Sequence, residues 1–169
     1  MRGLALAALF VLSCTPQQAA PSPPITPTRT ATAQPSPMVL GDRLGQVVVG
    51  SLAVEVLAAL GPPTLRTVAH GLGTPQWEYG STYVVMLGGS EARPGRVWKV
   101  TAYRDGIATT AGFAVGGTRD AFRRIYAGAE LHEWPGDQLE ARDATGRSVT
   151  AQFDARGRAT WIVAGGSGP

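Results

Sequence analysis

Gly116-Gly117-Thr118-Arg119-Asp120-Ala121-Phe122-Arg123-Arg124-Ile125-Tyr126 reads as a helix start followed by two apolar steps, Ala121/Phe122 and Ile125/Tyr126, with the arginines facing away. An earlier stretch keeps step with it: Gly50-Ser51-Leu52-Ala53-Val54-Glu55-Val56-Leu57-Ala58-Ala59-Leu60-Gly61. With Gly50 laid on Gly116, Leu52 meets Thr118, Val56 meets Phe122 and Leu60 meets Tyr126. One small unit used twice is the expectation.

Each helix has its own punctuation. Ser51 is placed to cap the first, and Gly61-Pro62-Pro63 ends it, because proline cannot continue a helix. Residues 64–75 read as a loop, followed by β-like runs at 76–79, 82–87 and 96–104 that end on the turn pair Asp105-Gly106. The second helix, Thr118 to Tyr126, ends near Gly128; a loop at 131–136 leads to runs at 139–143, 147–154 and 158–164. The fold class expected is α+β, with a helix and a three-stranded antiparallel unit occurring in tandem, at 39–106 and 107–169. The helices would cover one face of the sheet.

Gly50-x5-Val56-x3-Leu60-Gly61-x-Pro63, then Trp77-x-Tyr79, a β run and Gly95-Arg96-Val97, resembles the small outer-membrane-assembly lipoproteins of the SmpA/OmlA type. Thr109 to Thr118 is similar to a segment of related bacterial lipoproteins of unassigned role. Tandem copies of such a unit imply the fold of the β-lactamase-inhibitor protein, in which one sheet face carries helices and the other binds protein. The resemblance gives Gly50, Val56, Leu60, Gly61, Pro63, Gly116, Thr118, Phe122 and Tyr126 structural roles. Leu52 departs from the family's capping threonine, and the second helix lacks the Gly-x-Pro ending.

The N-terminus reads as an address. Arg2 precedes an apolar run, Leu4 to Leu12, about nine residues long against the roughly 20 needed to span a bilayer. Val11-Leu12-Ser13-Cys14 resembles the bacterial lipobox, which implies a signal peptide over 1–13, a diacylglycerol on the Cys14 sulfur and a membrane tether. A plain secretory signal with an incidental cysteine is the other reading. Cys14 is the sole cysteine, so no disulfide forms within the chain. Seven prolines among Thr, Ala, Gln and Ser make 14–38 a linker that packs nothing, about 70 Å long if extended. Thr15 is not the aspartate that retains lipoproteins at the inner membrane of enteric-type cells. The expected location is the outer membrane of a two-membrane host, or the outer face of a single membrane.

Charge excludes one class of partner. Arg2 and Arg29 precede residue 39, leaving 13 cations against 12 acids, a balance of +1 with no basic run. Nucleic acid needs clustered cations and is not expected. Catalysis finds no support either. His70 and His132 stand alone in expected loops, and Trp134-Pro135 breaks any zinc-protease helix after His132-Glu133. No Gly-x-Ser-x-Gly or phosphate loop exists, and the carboxylates are scattered. No metal or cofactor is expected.

What remains is surface. In the strand at 96–104, Lys99, Thr101 and Tyr103 alternate onto one face, while Trp98, Val100 and Ala102 take the other. Trp77, Trp98 and Trp161 read as core. Tyr83, Lys99, Thr101, Tyr103 and Trp134 form the candidate interaction surface, since Tyr and Trp supply rigid amphipathic area. The expected function is a non-catalytic protein–protein interaction module of the cell envelope, serving assembly or sequestering another envelope protein. A small-ligand or cell-wall-glycan binder is the alternative, and a degenerate hydrolase the remote one. Cys14→Ser should release the mature chain from membranes and remove the mass of the lipid. Fractionation with mass spectrometry checks this, and a variant still membrane-bound at unchanged mass would sink the tether.

Overall fold

The computed structural model describes residues 40–166. The expected signal peptide, Cys14 and the linker to residue 38 lie outside the described residues. A short hairpin, β1 (Arg43–Leu44) with β2 (Val47–Val48), precedes α1 (Ala53–Leu60). Four strands follow: β3 (Leu65–Val68), β4 (Pro75–Tyr79), β5 (Tyr83–Ser90) and β6 (Arg93–Ala102). A connecting segment, 103–118, leads to α2 (Arg119–Ile125) and to β7 (Glu130–Trp134), β8 (Gln138–Arg142), β9 (Ser148–Phe153) and β10 (Ala159–Gly165). Strands β3 to β10 make one antiparallel sheet in the order β3-β4-β5-β6-β10-β9-β8-β7. Its central seam pairs Lys99, Val100, Thr101 and Ala102 with Gly165, Ala164, Val163 and Ile162.

This corrects the expected α+β pattern of helix plus three strands. The structure is dominated by eight strands, and the helices are short, of eight and seven residues. The two strands absent from the expectation, β3 and β7, come from stretches read as loops. Both are edge strands, and none of their residues is buried. An edge that buries nothing leaves no apolar alternation to read. The helices also share the covering of the inner sheet face. Leu40, Leu44 and Val47 from the first hairpin region, and Phe113 and Val115 from the connecting segment, are as buried as α1's Val56.

Local chemistry explains the helix starts. Leu52 has no side-chain acceptor, so Glu55 reaches back and its Oε2 accepts the Leu52 N–H at 2.6 Å. Ser51, expected as the cap, instead donates its hydroxyl to the Val48 carbonyl at 2.6 Å. Thr118 does cap α2, accepting the Ala121 N–H at 3.2 Å. The Gly50 N–H donates to the Val97 carbonyl (2.6 Å) and the Gly116 N–H to that of Ala159 (2.8 Å), so each helix start is tied to the last strand of its half. The Gly61 N–H returns to the Leu57 carbonyl, while Leu60 packs half-buried on the core and Pro63 is half-buried before β3.

The densest part of the core is aromatic. Phe122 lies edge-on to Phe113, centroids 5.0 Å apart, and 4.7 Å from Tyr126; Phe153 closes the group at 6.1 Å from Phe122. Phe122 and Tyr126 are fully buried. The Tyr126 hydroxyl is satisfied by Thr109 Oγ1 at 2.7 Å. At the start of the described chain, Gly41 (φ 60°) lies across the ends of β9 and β10. A Cβ there would meet the Ser148 carbonyl at 2.5 Å and that of Gly165 at 2.8 Å.

Phe122→Ala should cost about 3–5 kcal/mol, read from the urea midpoint, and a loss under about 1 kcal/mol would remove Phe122 from the centre of the core. Burial pushes the Tyr126 phenol up to about 12, against the opposing hydrogen bond from Thr109 and with a further push from Asp42. A phenol raised in the folded state costs nothing below its unfolded value near 10, and stability falls as pH climbs from there toward 12. Tyr126→Phe should cost about 1 kcal/mol at neutral pH and flatten that alkaline loss. Denaturation at pH 9 and 11 checks it, and equal slopes for both proteins would exclude Tyr126 as the titrating group.

Candidate functional site

Helices, hairpin and connecting segment all lie on the inner face, so the outer face of the sheet is uncovered except where Leu72 of the β3–β4 loop reaches it beside Trp98 and Lys99. Strand register arranges its side chains in rows. One row runs Val84, Thr101, Val163, Thr150, Glu140, His132 across six strands. The next runs Met86, Lys99, Gly165, Ser148, Arg142, Glu130. A shorter one joins Trp161, Gln152, Gln138 and Trp134. Residues between the rows in sequence, such as Val100, Ala102, Leu139, Ala141 and Ile162, are buried on the inner face.

Glu140 is the buried acid of this face, 6% exposed. Both carboxylate oxygens are engaged: Arg142 Nη2 donates to Oε1 at 2.9 Å and the Trp134 indole N–H to Oε2 at 3.0 Å. Burial works to raise its pKa, but hydrogen bonds from Arg142, Trp134 and Ser148 outweigh it and hold the carboxyl below its ordinary range. The cluster is therefore a fixed, ionised pair that orients the Trp134 ring. His132, opposite Glu140 in the register, has its Nε2 3.2 Å from Glu130.

Beside this cluster a groove of about 480 Å³ crosses the seam between Trp98, Lys99, Arg142, Ser148 and Thr150, with Gly165 and Gly166 at its floor. Its shape follows from an irregularity in β6. Met86 pairs with Lys99 but Leu87 with Val97, which leaves Trp98 as an extra residue in the strand. Trp98 therefore does not pack beneath the helices as its place in the alternation predicts. It is half-buried, its ring lies 4.9 Å from the Lys99 ammonium, and its buried indole N–H has no hydrogen-bond partner among the described residues. Gly165 permits the close approach of the bulge: a Cβ there would meet the Trp98 carbonyl at 2.7 Å.

The sequence-derived surface is largely brought together on this face. Lys99 and Thr101 are half-buried near its centre, and Tyr103 (45% exposed) and Trp134 (49%) stand out from it. Burial, then the nearby Glu78 carboxylate, raise the Tyr103 phenol. Tyr83 is the exception. It begins β5 on the inner face, opposite Ala102, and is 6% exposed, so it is a core residue and cannot contact a partner. Trp77 is core as expected, whereas Trp161 is half-buried in an outer row.

Glu140 and Arg142 were not singled out from the sequence, and Trp98 was read as core. Glu140 and Arg142 carried a signal, since Leu139-Glu140-Ala141-Arg142 alternates and places an acid and a base on one face. The bulge that turns Trp98 outward left none. Among the described residues, no three His, Cys, Asp or Glu side chains gather as metal ligands, and no helix is long and apolar enough to cross a membrane. His132 meets a carboxylate, but no hydroxyl among the described residues hydrogen-bonds to it.

No known protein family matches this sequence, and no curated protein does. Among solved structures, the chain is similar to an extracellular protein containing a SCP domain from Bacillus anthracis str. Ames, with a TM-score of 0.52 at 11% identity over 70% of this chain and 44% of that one. A cysteine-rich secretory protein from Staphylococcus aureus subsp. aureus Mu50 matches with a TM-score of 0.46 at 7% identity, covering 70% and 44% of the two chains. A DUF4309 family protein from Bacillus subtilis subsp. subtilis str. 168 matches at 0.41 and 12%, covering 69% and 79%. The chain spans less than half the length of the first of these proteins, and none of the three is described as an SmpA/OmlA-type or β-lactamase-inhibitor protein. At such identity the first likeness concerns fold alone: this sheet is a fold that an extracellular protein also carries.

Proposed function

We propose that the chain is an exported envelope protein, tethered to a membrane through a lipid on Cys14, whose outer sheet face binds another protein without catalysis. The observation that carries this reading is the uncovered face itself. It presents Tyr103, Trp134 and Trp161 around Lys99, Thr101 and Arg142, on a sheet whose other face carries the core. Rigid aromatics beside a few fixed charges are the composition of interface hot spots. The Glu140 cluster supports it further, because it holds the Trp134 indole in one orientation and reduces the entropy lost on binding. Use of the same fold by an extracellular protein is consistent with export.

The groove over Gly165 favours a second reading, a small ligand or a cell-wall glycan held against Trp98 and Lys99. A glycan lies readily on an indole, and its hydroxyls would meet Ser148, Thr150 and Arg142.

Two variants separate the readings. Residues 39–169, immobilised and exposed to envelope extract, should retain a saturable protein partner. Trp134→Ala should weaken that binding by about 2 kcal/mol, near thirtyfold, with the urea midpoint little changed because the ring is half exposed. Saturable quenching of tryptophan fluorescence by cell-wall fragments, lost in Lys99→Glu, would favour the ligand reading instead. Retention of no saturable partner would sink the first.

A further inference from the structure

The sheet ends in two free edges that differ in character. β7 puts Glu130, His132 and Glu133 among its five residues, the kind of charge that repels an added strand. β3, Leu65-Arg66-Thr67-Val68, has one charge, and the Arg66 guanidinium is folded over the Trp77 ring, 5.1 Å from its centroid. Leu65 and Val68 are 49% and 42% exposed. Among the described residues β3 pairs with β4 alone.

The backbone of this edge is oriented for pairing. The Ala69 N–H donates to the Thr74 carbonyl at 2.9 Å, one step beyond the Val68↔Pro75 pair. Bonded and non-bonded pairs alternate along an antiparallel ladder. Leu65 and Thr67 therefore bond toward β4, and Arg66 and Val68 turn their N–H and C=O groups to the empty side. Pro75, which has no N–H, faces Val68 at a non-bonded pair, as that alternation requires.

An apolar groove of about 380 Å³ adjoins the edge, between α1 and the first strands, lined by Leu52, Val54, Leu57, Arg66 and Trp77. α1 carries one charged residue, Glu55, yet Val54 is 64% exposed. A helix apolar on nearly every side is normally covered. Of the nine large hydrophobics exposed among the described residues, Leu52 and Val54 line this groove, and Val68 alternates onto the same face of β3 as Arg66.

We infer that the β3 edge and this groove accept an extended segment of another protein as a ninth strand, apolar toward the groove and bearing a carboxylate opposite Arg66. The charge argument selects the occupant. Arg66 has no carboxylate partner among the described residues, and β3 contains no acid, so a second copy paired through its own β3 would set arginine near arginine. A foreign strand with an acid is complementary, and its main-chain bonds to Arg66 and Val68 would supply affinity. This site is separate from the outer face and does not depend on it.

The test uses the full chain and a synthetic peptide carrying valines and one central glutamate on one strand face and threonines on the other. The peptide should bind saturably, one per chain, and slow hydrogen exchange at the Arg66 and Val68 amides. Replacing its glutamate by lysine, or Val68→Pro in the protein, should weaken binding by at least about tenfold, with protection of β9 amides retained as proof of folding. Leu131→Pro at the opposite edge should leave binding unchanged. Three results would overturn the inference. They are unslowed exchange at Arg66 and Val68 in millimolar peptide, equal binding of the acidic and basic peptides, or slow exchange at both amides without peptide in a chain of doubled solution mass, which would assign the edge to a second copy.

Discussion

Four cross-strand pairs between β6 and β10 hold the two halves of the sheet together, and both faces depend on them. Each strand is the last of four consecutive ones, and each receives a main-chain bond from the glycine before its helix, Gly50 to Val97 and Gly116 to Ala159. The seam thus fixes the helices as well as the strands. A slip of one residue would turn Val100 and Ala102 outward and bring Lys99 and Thr101 into the core. Burying an unpaired ammonium is costly enough to exclude that register. Gly165 adds a steric lock, since the Trp98 carbonyl leaves no room for a side chain opposite the bulge.

The inner and outer faces divide the labour. Inside, the Phe113, Phe122, Tyr126 and Phe153 rings fill one half of the core, while the other half is built mainly of aliphatics with Trp77 and Tyr83. Outside, the Glu140 carboxylate is satisfied laterally, by Arg142 and Trp134, rather than by a covering layer. A face so arranged is stable when bare and still offers aromatic area. The edges add a second asymmetry: β7 is charged, and its inner flank is tied to α2 by the Arg123–Glu133 pair, whereas no ion pair among the described residues ties β3.

Much of this was legible in the residues. Gly116-Gly117-Thr118 did mark a capped helix, and the runs around Val85, Val100, Ala151 and Ile162 did mark strands, because their alternation reflects one buried face. Leu65–Val68 and Glu130–Trp134 did not read as strands, since edge pairing is a main-chain matter and leaves side chains exposed. That omission turned eight strands into six and made the helices look more important than they are. Lys99, Thr101 and Tyr103 reached the open face through simple alternation, whereas Trp134, read as part of a loop, reaches it as the last residue of β7. Tyr83 failed because a tyrosine near a turn suits either face, and only its pairing opposite Ala102 decides. Trp98 failed because a bulge is a register shift between two strands, invisible from either one alone.

Gly41 carries a mechanical consequence. Its backbone rests against the carbonyls of Ser148 and Gly165, so the incoming chain touches the sheet where β9 begins and β10 ends. Tension arriving along residue 40 would load those two strands first. They lie mid-sheet with neighbours on both sides, the arrangement best able to share a load through adjacent ladders. The outermost strand β3 stands four places from β10 and off this path. A pull from that side would strain the corner at Gly41 while leaving the far edge slack.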